Sequence, residues 1–199
     1  MLPLRDAELI QIVDASFAQA ARRAGPHLVC RPGCTQCCHG VFPINALDAA
    51  RLRAGIRALH AADPSAAEAI QTRARAWLIE HGDAFPGDRE TGILGTTAEN
   101  EEKFESYAKN APCPALDLST GLCSVYAWRP MTCRVFGPPI QTADENGAEA
   151  LGHCELCFTR ATPEEVAACE MPIPHALESE LVAELGSSGE TIVAFALLN

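Results

Sequence analysis

Cysteines carry the clearest chemistry in this chain. Nine of the ten fall into three groups, each in loop-like sequence rich in proline and glycine. The groups are Cys30, Cys34, Cys37 and Cys38; then Cys113, Cys123 and Cys133; then Cys154 and Cys157. The two-residue gaps of Cys34-x2-Cys37 and Cys154-x2-Cys157 let consecutive loop cysteines turn back onto one ion. The pattern therefore predicts a metal site built from thiolates.

Burial as small apolar side chains is the other interpretation of these cysteines. It would have to hold for most of nine residues at once, which disfavours it. Disulfides are not expected either, because Asp6, Glu8 and Asp14 interrupt the first apolar segment, which therefore lacks the features of a signal peptide. We expect a cytoplasmic protein with reduced thiols. Only Cys169, within TPEEVAACE, is predicted to be a core cysteine on a helix.

Cys37 and Cys38 are adjacent, which limits how they bind metal. Neighbouring side chains diverge by about 100° on a helix and point to opposite faces of a strand. The pair would serve two neighbouring sites, or one thiol would ligate while the other packs or hydrogen-bonds; a vicinal disulfide is the strained third choice. Nine thiols supply two four-thiolate sites with one left over, or one site with several spectators.

The spacing Cys30-x3-Cys34-x2-Cys37 is also that of the radical-SAM iron-sulfur loop. We reject this interpretation because a helix, not a barrel strand, is predicted before Cys30. The alternating strands and helices of a barrel are missing, and Gln36 stands where an aromatic residue is usual.

The second cysteine group belongs to a longer pattern. It reads Cys113-Pro114-x-Leu116-Asp117-x3-Gly121-x-Cys123-x2-Tyr126-x2-Arg129-Pro130-x2-Cys133-Arg134-x-Phe136. Together with the preceding Cys-x3-Cys-x2-Cys-Cys block, it closely resembles the YkgJ-type cysteine-cluster family, a zinc- or iron-chelating domain, over roughly residues 28 to 157. The resemblance implies a small bacterial metal-binding domain, often labelled an iron-sulfur oxidoreductase and distantly related to flagellin lysine methylases.

The first gap departs from the family pattern, because many members have two residues there. Cys30 is therefore the weakest candidate ligand of its group. His27, His39 and His153 are not carried over from the family. From position alone, His39 and His153 would each replace a thiolate in a mixed site, although such histidines are more often solvated or bonded to a ligand residue.

Two arginines follow Cys123 without any nearby acid, in a chain of net charge -11. Four thiolates around Zn²⁺ or a [4Fe-4S]²⁺ cluster leave a charge of about -2, which favours nearby cations and N–H donors. We expect Arg129 and Arg134 to face the metal centre, with Tyr126 hydrogen-bonded to a thiolate or to backbone. The alternative is that Arg129-Pro130 starts a helix and both guanidiniums pair with surface carboxylates.

Helices are predicted to surround these groups. Apolar spacing and caps predict helices over Asp6–Arg23, Ala46–His60, Pro64–Glu80 behind Asp63, Ala98–Lys109, Pro163–Cys169 behind Thr162, and Pro174–Leu185. Short strands at Ala115–Leu118 and Leu122–Tyr126 form a hairpin around Ser119-Thr120-Gly121. Loops are expected at Gly82–Thr97 and around Asp144–Glu149, while Thr191–Leu198 would be strand or helix.

The expected fold is α+β and mainly α-helical, a helical shell around a loop-rich cysteine metal centre with a small β-hairpin. With 199 residues and 48% hydrophobic content, one domain over residues 1–199 is expected. The balance of 15 basic to 26 acidic residues argues against nucleic acid or anionic membranes as partners. No protein partner is indicated.

Three classes of function fit the thiols. The leading hypothesis is an iron-sulfur protein, with 4Fe-4S as the expected cluster and redox or group-transfer activity. The alternatives are a zinc-binding structural or interaction module and a metal delivery protein. No Ser-His-Asp order, phosphate loop or dinucleotide glycine pattern occurs, so the sequence assigns no catalytic residue.

Overall fold

A computed structural model describes residues 1–143, 147–186 and 189–198. These residues are 52% helical and contain three small two-stranded antiparallel sheets, which confirms the mainly helical α+β class. The helices are α1 Asp6–Ala24, α2 Ala46–Ala62, α3 Pro64–His81, α4 Ala98–Ser106, α5 Met131–Val135, α6 Pro163–Ala168, α7 His175–Glu184 and α8 Val193–Ala196. The strands are β1 Gly87–Asp88, β2 Ile93–Leu94, β3 Leu116–Asp117, β4 Leu122–Cys123, β5 Ile140–Ala143 and β6 Glu149–Gly152.

The chain divides into two compact units. The first unit contains Met1–Leu2, Pro32–Pro130 and Val182–Asn199, and the second contains Pro3–Arg31 and Met131–Leu181. The expectation of one domain stays a prediction. No described helix has the length and apolar character that crossing a membrane requires.

Side-chain caps define where several helices begin. The Asp63 carboxylate accepts from the amide of Ala66, and Pro64 occupies the first turn of α3, as predicted. Thr162 and Glu165 form a reciprocal capping box at α6. Asn45 caps α2 without having been predicted to do so, and its side-chain oxygen accepts from the amides of Leu47 and Asp48.

The core of the first unit forms where α2, α3 and α8 pack together. Leu52, Ile70 and Leu197 are fully buried there, and Cys113 and Cys123 pack against this cluster. The segment Thr191–Leu198, predicted to be strand or helix, contains both. Thr191 is extended and pairs with Ile44, and the chain then becomes helical at α8.

An aromatic cluster completes this unit. Trp77, Phe85, Tyr107 and Phe195 are buried with mostly edge-to-face ring contacts. The segment 82–97 contains a 3₁₀ turn at Gly82–Ala84 and the β1–β2 pair, so it is more ordered than the predicted long loop.

The second unit packs α1 against α5 and contains the β5–β6 hairpin. No sequence signal predicted this hairpin, because three of the four residues of β5 are exposed and no alternation of apolar side chains marks it. Of the predicted acidic loop around Asp144–Glu149, residues 144–146 lie outside the described residues, and β6 begins at Glu149.

Candidate metal centre

The cysteines divide evenly between the two units. Cys34, Cys37, Cys38, Cys113 and Cys123 belong to the first, and Cys30, Cys133, Cys154, Cys157 and Cys169 to the second. All are reduced thiols. In the described part of the chain, no group of three or more histidine, cysteine, aspartate or glutamate side chains is already arranged to hold a metal ion. Convergence of the nine predicted ligands therefore stays a prediction.

Backbone pairing joins the first two cysteine groups within the first unit. The amide of Cys113 donates to the carbonyl of Cys38 at 2.7 Å, and His39 pairs with Pro112 in an antiparallel bridge. The amide of Gly40 continues this pairing to the carbonyl of Ala111 at 2.9 Å. Two segments far apart in sequence thus lie side by side where their cysteines occur.

The predicted β3–β4 hairpin is confirmed and positions Cys123. Leu116 faces Cys123 in the register of the pair, and the amide of Leu116 donates to the carbonyl of Cys113. The Asp117 carboxylate accepts from the amide and hydroxyl of Ser119, which stabilises the turn. Gly121 completes it with a φ of +69°.

Backbone N–H groups surround the sulfur of Cys113. Burial raises the pKa of this thiol to about 12, and the nearby thiols of Cys123 and Cys37 add to the effect. The amides of Ala115 and Leu116 oppose it by donating hydrogen bonds to the sulfur. Such N–H donors favour the thiolate form that a metal requires.

Cys123 has cations as well as an N–H donor near its sulfur. Burial raises the pKa of this thiol, while the amide of Val125 and the charges of Arg129 and Arg73 oppose the rise. The charge of Cys37 raises the pKa of Cys123 further, and it also raises the pKa of Cys113. Cys37, Cys113 and Cys123 therefore lie close enough to interact electrostatically.

The adjacent thiols of Cys37 and Cys38 hydrogen-bond to each other. This bond lowers the pKa of Cys37 to about 6; burial opposes the shift, and the amide of Cys37 and His39 support it. The pair lies at the end of a 3₁₀ turn, Gln36–Cys38. A hydrogen bond between the two thiols is one part of the alternative in which a single thiol of the pair binds metal, and metal binding by either thiol stays a prediction.

Arg129 lies over the ring of Tyr126. Its guanidinium carbon is 3.9 Å from the ring centroid, and Nη1 donates to the Tyr126 carbonyl at 2.9 Å. This double contact holds the guanidinium whose charge opposes the burial-driven rise in the pKa of Cys123. Arg129 thus carries its charge near one candidate ligand, and Tyr126 contacts Arg129.

Arg134 has a different environment in the second unit. It is buried and pairs with Asp14 of α1, with Nη1 to carboxylate distances of 3.0 and 3.2 Å. This agrees with the carboxylate-pairing alternative, although the guanidinium is buried and not at the surface. A role toward the metal stays a prediction, as it does for the neighbouring Cys133.

The remaining thiols of the second unit gather around an apolar cluster. Cys154, Cys157 and Cys169 are buried with Ala24 and Phe158, which confirms Cys169 as a core cysteine; it directly follows α6. The amide of Cys157 donates to the carbonyl of Cys154 at 2.8 Å and closes the two-residue gap.

Cys30 lies beside Gly137. A Cβ at Gly137 would be 2.9 Å from the Cys30 sulfur, and the amide of Cys154 donates to the Gly137 carbonyl. Gly137 thus connects the exposed thiol of Cys30 to the third cysteine group.

The flanking histidines contact backbone through Nδ1. His39 Nδ1 lies 3.0 Å from the carbonyl of Thr35, and His153 Nδ1 lies 3.0 Å from that of Cys154. The His27 ring stacks on Phe158.

Arg73 is the neighbour that sequence analysis missed. It extends from α3, and Nε and Nη2 donate to the Pro114 carbonyl and the Ser124 hydroxyl, each at 3.0 Å. No local motif marks Arg73, because only the packing of α3 against this loop brings it near Cys123.

The donor set suits a soft metal site, since thiolates are preferred by zinc and iron-sulfur clusters. The family model "CxxCxxCC: Putative zinc- or iron-chelating domain" matches residues 29–157. This range includes all nine candidate ligands and ends before Cys169. Comparisons with curated proteins and with solved structures found no match.

Proposed function

The chain belongs to the CxxCxxCC family of zinc- or iron-chelating domains, and from this we propose that it holds an iron-sulfur cluster, with 4Fe-4S as the leading form. Metal binding through a cysteine cluster is the property that the family supplies. Redox or group-transfer activity is the further part of the proposal, and the cluster would supply the electrons or the open iron position for it.

The surroundings of Cys113 and Cys123 carry this proposal. Their sulfurs accept backbone N–H bonds, and Arg129 and Arg73 place positive charge near Cys123. These groups offset the negative charge of a thiolate-ligated cluster and tune its potential. The N–H donors and cations are groups that would stabilise a metal-bound thiolate, and they act against the burial that keeps the metal-free thiols protonated.

All nine motif cysteines are the proposed ligands. Cys34, Cys37, Cys123 and Cys133 lead, Cys38, Cys113, Cys154 and Cys157 follow, and Cys30 comes last. Each unit contains five cysteines, enough thiols for a four-thiolate site within that unit. Arg129, Arg134 and Tyr126 are proposed to support the cluster electrostatically.

We further propose that the protein works in the bacterial cytoplasm. Reduced thiols and a net charge of -11 support this placement and disfavour nucleic acid and anionic membranes as partners.

A zinc-stabilised module is the second candidate. Between the end of α4 and the start of α5, the regular structure consists of two-residue strands and a 3₁₀ turn at Tyr126–Trp128. A metal bound to Cys113 and Cys123 would hold such a segment together. This candidate predicts a colourless protein that unfolds when zinc is chelated.

Purification without oxygen, followed by metal and sulfide analysis and an absorption spectrum, tests the proposal. About four iron and about four sulfide per chain with a brown colour are expected. Stoichiometric zinc alone would overturn the iron-sulfur proposal. Cys123→Ala is expected to lower the metal content sharply, whereas the matched Cys169→Ala variant retains it.

A further inference from the structure

A cleft of about 640 Å³ opens beside Cys113 in the first unit. One wall is a face of α3 that presents Arg73, Trp77 and His81 at helical spacing, and the other is the segment from Ser106 to Pro114. The volume lies in the range of small-molecule sites. The cleft therefore has the size of a ligand site and reaches a candidate metal ligand.

The cleft is cationic although the chain is acidic. Arg73 and Lys109 line it, and among the described residues neither has a carboxylate within ion-pair distance. The acid in the lining, Glu80, lies 3.8 Å from His81 Nε2. Two cations that lack a carboxylate partner in the described part of the chain lie at one cleft of a chain with net charge -11, which favours an anionic ligand.

Arg73 is held in position before any ligand arrives. Its Nε and Nη2 bonds to Pro114 and Ser124 fix the guanidinium plane. Nη1 has no partner among the described residues. A guanidinium already ordered by protein contacts loses little side-chain entropy when it binds an anion.

The rest of the lining is largely apolar and includes one buried donor. Leu116 and Leu118 lie at the cleft together with Trp77. Trp77 is 7% exposed, and its indole Nε1 lacks a hydrogen-bond partner in the described part of the chain. Because this nitrogen is itself buried, the indole offers the cleft carbon surface and not a hydrogen-bond donor.

We propose that this cleft binds a small organic anion whose carboxylate or phosphate lies between Arg73 and Lys109, with its apolar body against Trp77. Cys113 lines the same cleft, so the anion would lie next to the proposed metal centre. The inference rests on the cleft and its charges, and it stands whether the metal is iron or zinc.

Titration of the full chain by calorimetry with four aromatic probes tests the charge requirement. Benzoate and phenyl phosphate are expected to bind at least about tenfold more tightly than benzyl alcohol or benzylamine, because the cleft cations attract only the anions. Comparing the two anions distinguishes a carboxylate site from a phosphate site. Benzylamine binding as tightly as benzoate, or benzoate failing to saturate, would overturn the proposal.

The two lysines of the chain provide a matched pair of variants. Lys109→Gln and Lys103→Gln remove the same charge from exposed positions, but Lys103 pairs with Glu99 away from the cleft. Lys109→Gln is expected to weaken benzoate binding roughly 3- to 10-fold, and Lys103→Gln by less than about twofold. Equal weakening would show a long-range effect and contradict the site.

Metal content is measured on the same samples. If the full chain contains metal but does not bind benzoate, only the proposed anion site is contradicted. If it binds benzoate but contains no metal, only the proposed metal-binding function is contradicted.

Discussion

The amide of Cys113 donates a 2.7 Å hydrogen bond to the carbonyl of Cys38, joining the first and second cysteine groups through their backbones. The next bond along this pairing, from Gly40 to Ala111, requires close approach of the two segments. Gly40 has a φ of +87°, and a Cβ there would lie 2.7 Å from the carbonyl oxygen of Lys109. The geometry of the thiols therefore depends on a glycine outside the cysteine motif itself.

Gly40→Ala is expected to destabilise the protein by about 2–4 kcal/mol, since both the left-handed backbone and the contact with Lys109 oppose the new methyl group. Gly33→Ala is the matched control, because Gly33 has the same φ of +87° with nothing within 4 Å. Its cost is expected to be about 1–2 kcal/mol. Urea unfolding measures both, and equal costs would rule out a special role for the contact.

Arg129→Gln is expected to make the midpoint potential of the cluster more negative, by up to about 59 mV, because a positive charge near Cys123 is lost. Redox titration monitored by absorbance measures the shift. Arg75→Gln removes an exposed charge paired with Glu68 and should leave the potential unchanged. Unchanged metal content and potential in Arg129→Gln would argue against its proposed role.

Cys37 is expected to be the most readily alkylated thiol of the metal-free protein near pH 7. Its pKa, lowered to about 6 by the bond from Cys38, makes it a thiolate at neutral pH, while the pKa of Cys113 is raised to about 12. Mass spectrometry after brief iodoacetamide treatment gives the pH profile at each site. Cys38→Ala should move the Cys37 midpoint upward toward 9; an unmoved midpoint would refute the thiol–thiol hydrogen bond.

The same shift affects stability with pH. The pKa of Cys37 is lower in the folded protein than in the unfolded chain, so ionisation of this thiol stabilises the fold. This stabilisation is complete above about pH 9 and is lost as the pH falls to about 6. The free energy of unfolding of the metal-free protein should therefore rise between about pH 6 and pH 9, and Cys37→Ala should remove this part of the rise. Identical pH dependence in the variant would contradict the lowered pKa.

Asp14→Asn is expected to cost about 1–3 kcal/mol of unfolding free energy, because Arg134 is 2% exposed and would keep its charge with a weaker partner. Glu8→Gln breaks the exposed Arg5 pair in the same unit and should cost much less, because solvent screens that pair. Chemical denaturation compares the two variants. A similar small cost for both would mean that other groups satisfy Arg134.

Local order was determined largely by the sequence. The apolar spacing of α1, the Asp63 and Thr162 caps and the turn before Gly121 predicted their elements because these signals act within a few residues. The cysteine spacing likewise predicted a metal-binding family, which the match to residues 29–157 confirms. The β5–β6 hairpin carried no such signal, since most of β5 is exposed.

Tertiary structure alone decided which side chains meet. Arg129 and Arg134 belong to one short motif, yet Arg129 lies beside Cys123 while Arg134 pairs with Asp14 of α1. Arg73 of α3 bonds to Pro114 and Ser124, the residues that follow Cys113 and Cys123, with no motif of its own. Residue spacing along the chain determines local geometry, whereas contacts between distant segments depend on how helices and loops pack. The sequence was therefore sufficient to identify the candidate thiols, but only the tertiary structure determined which side chains lie next to them.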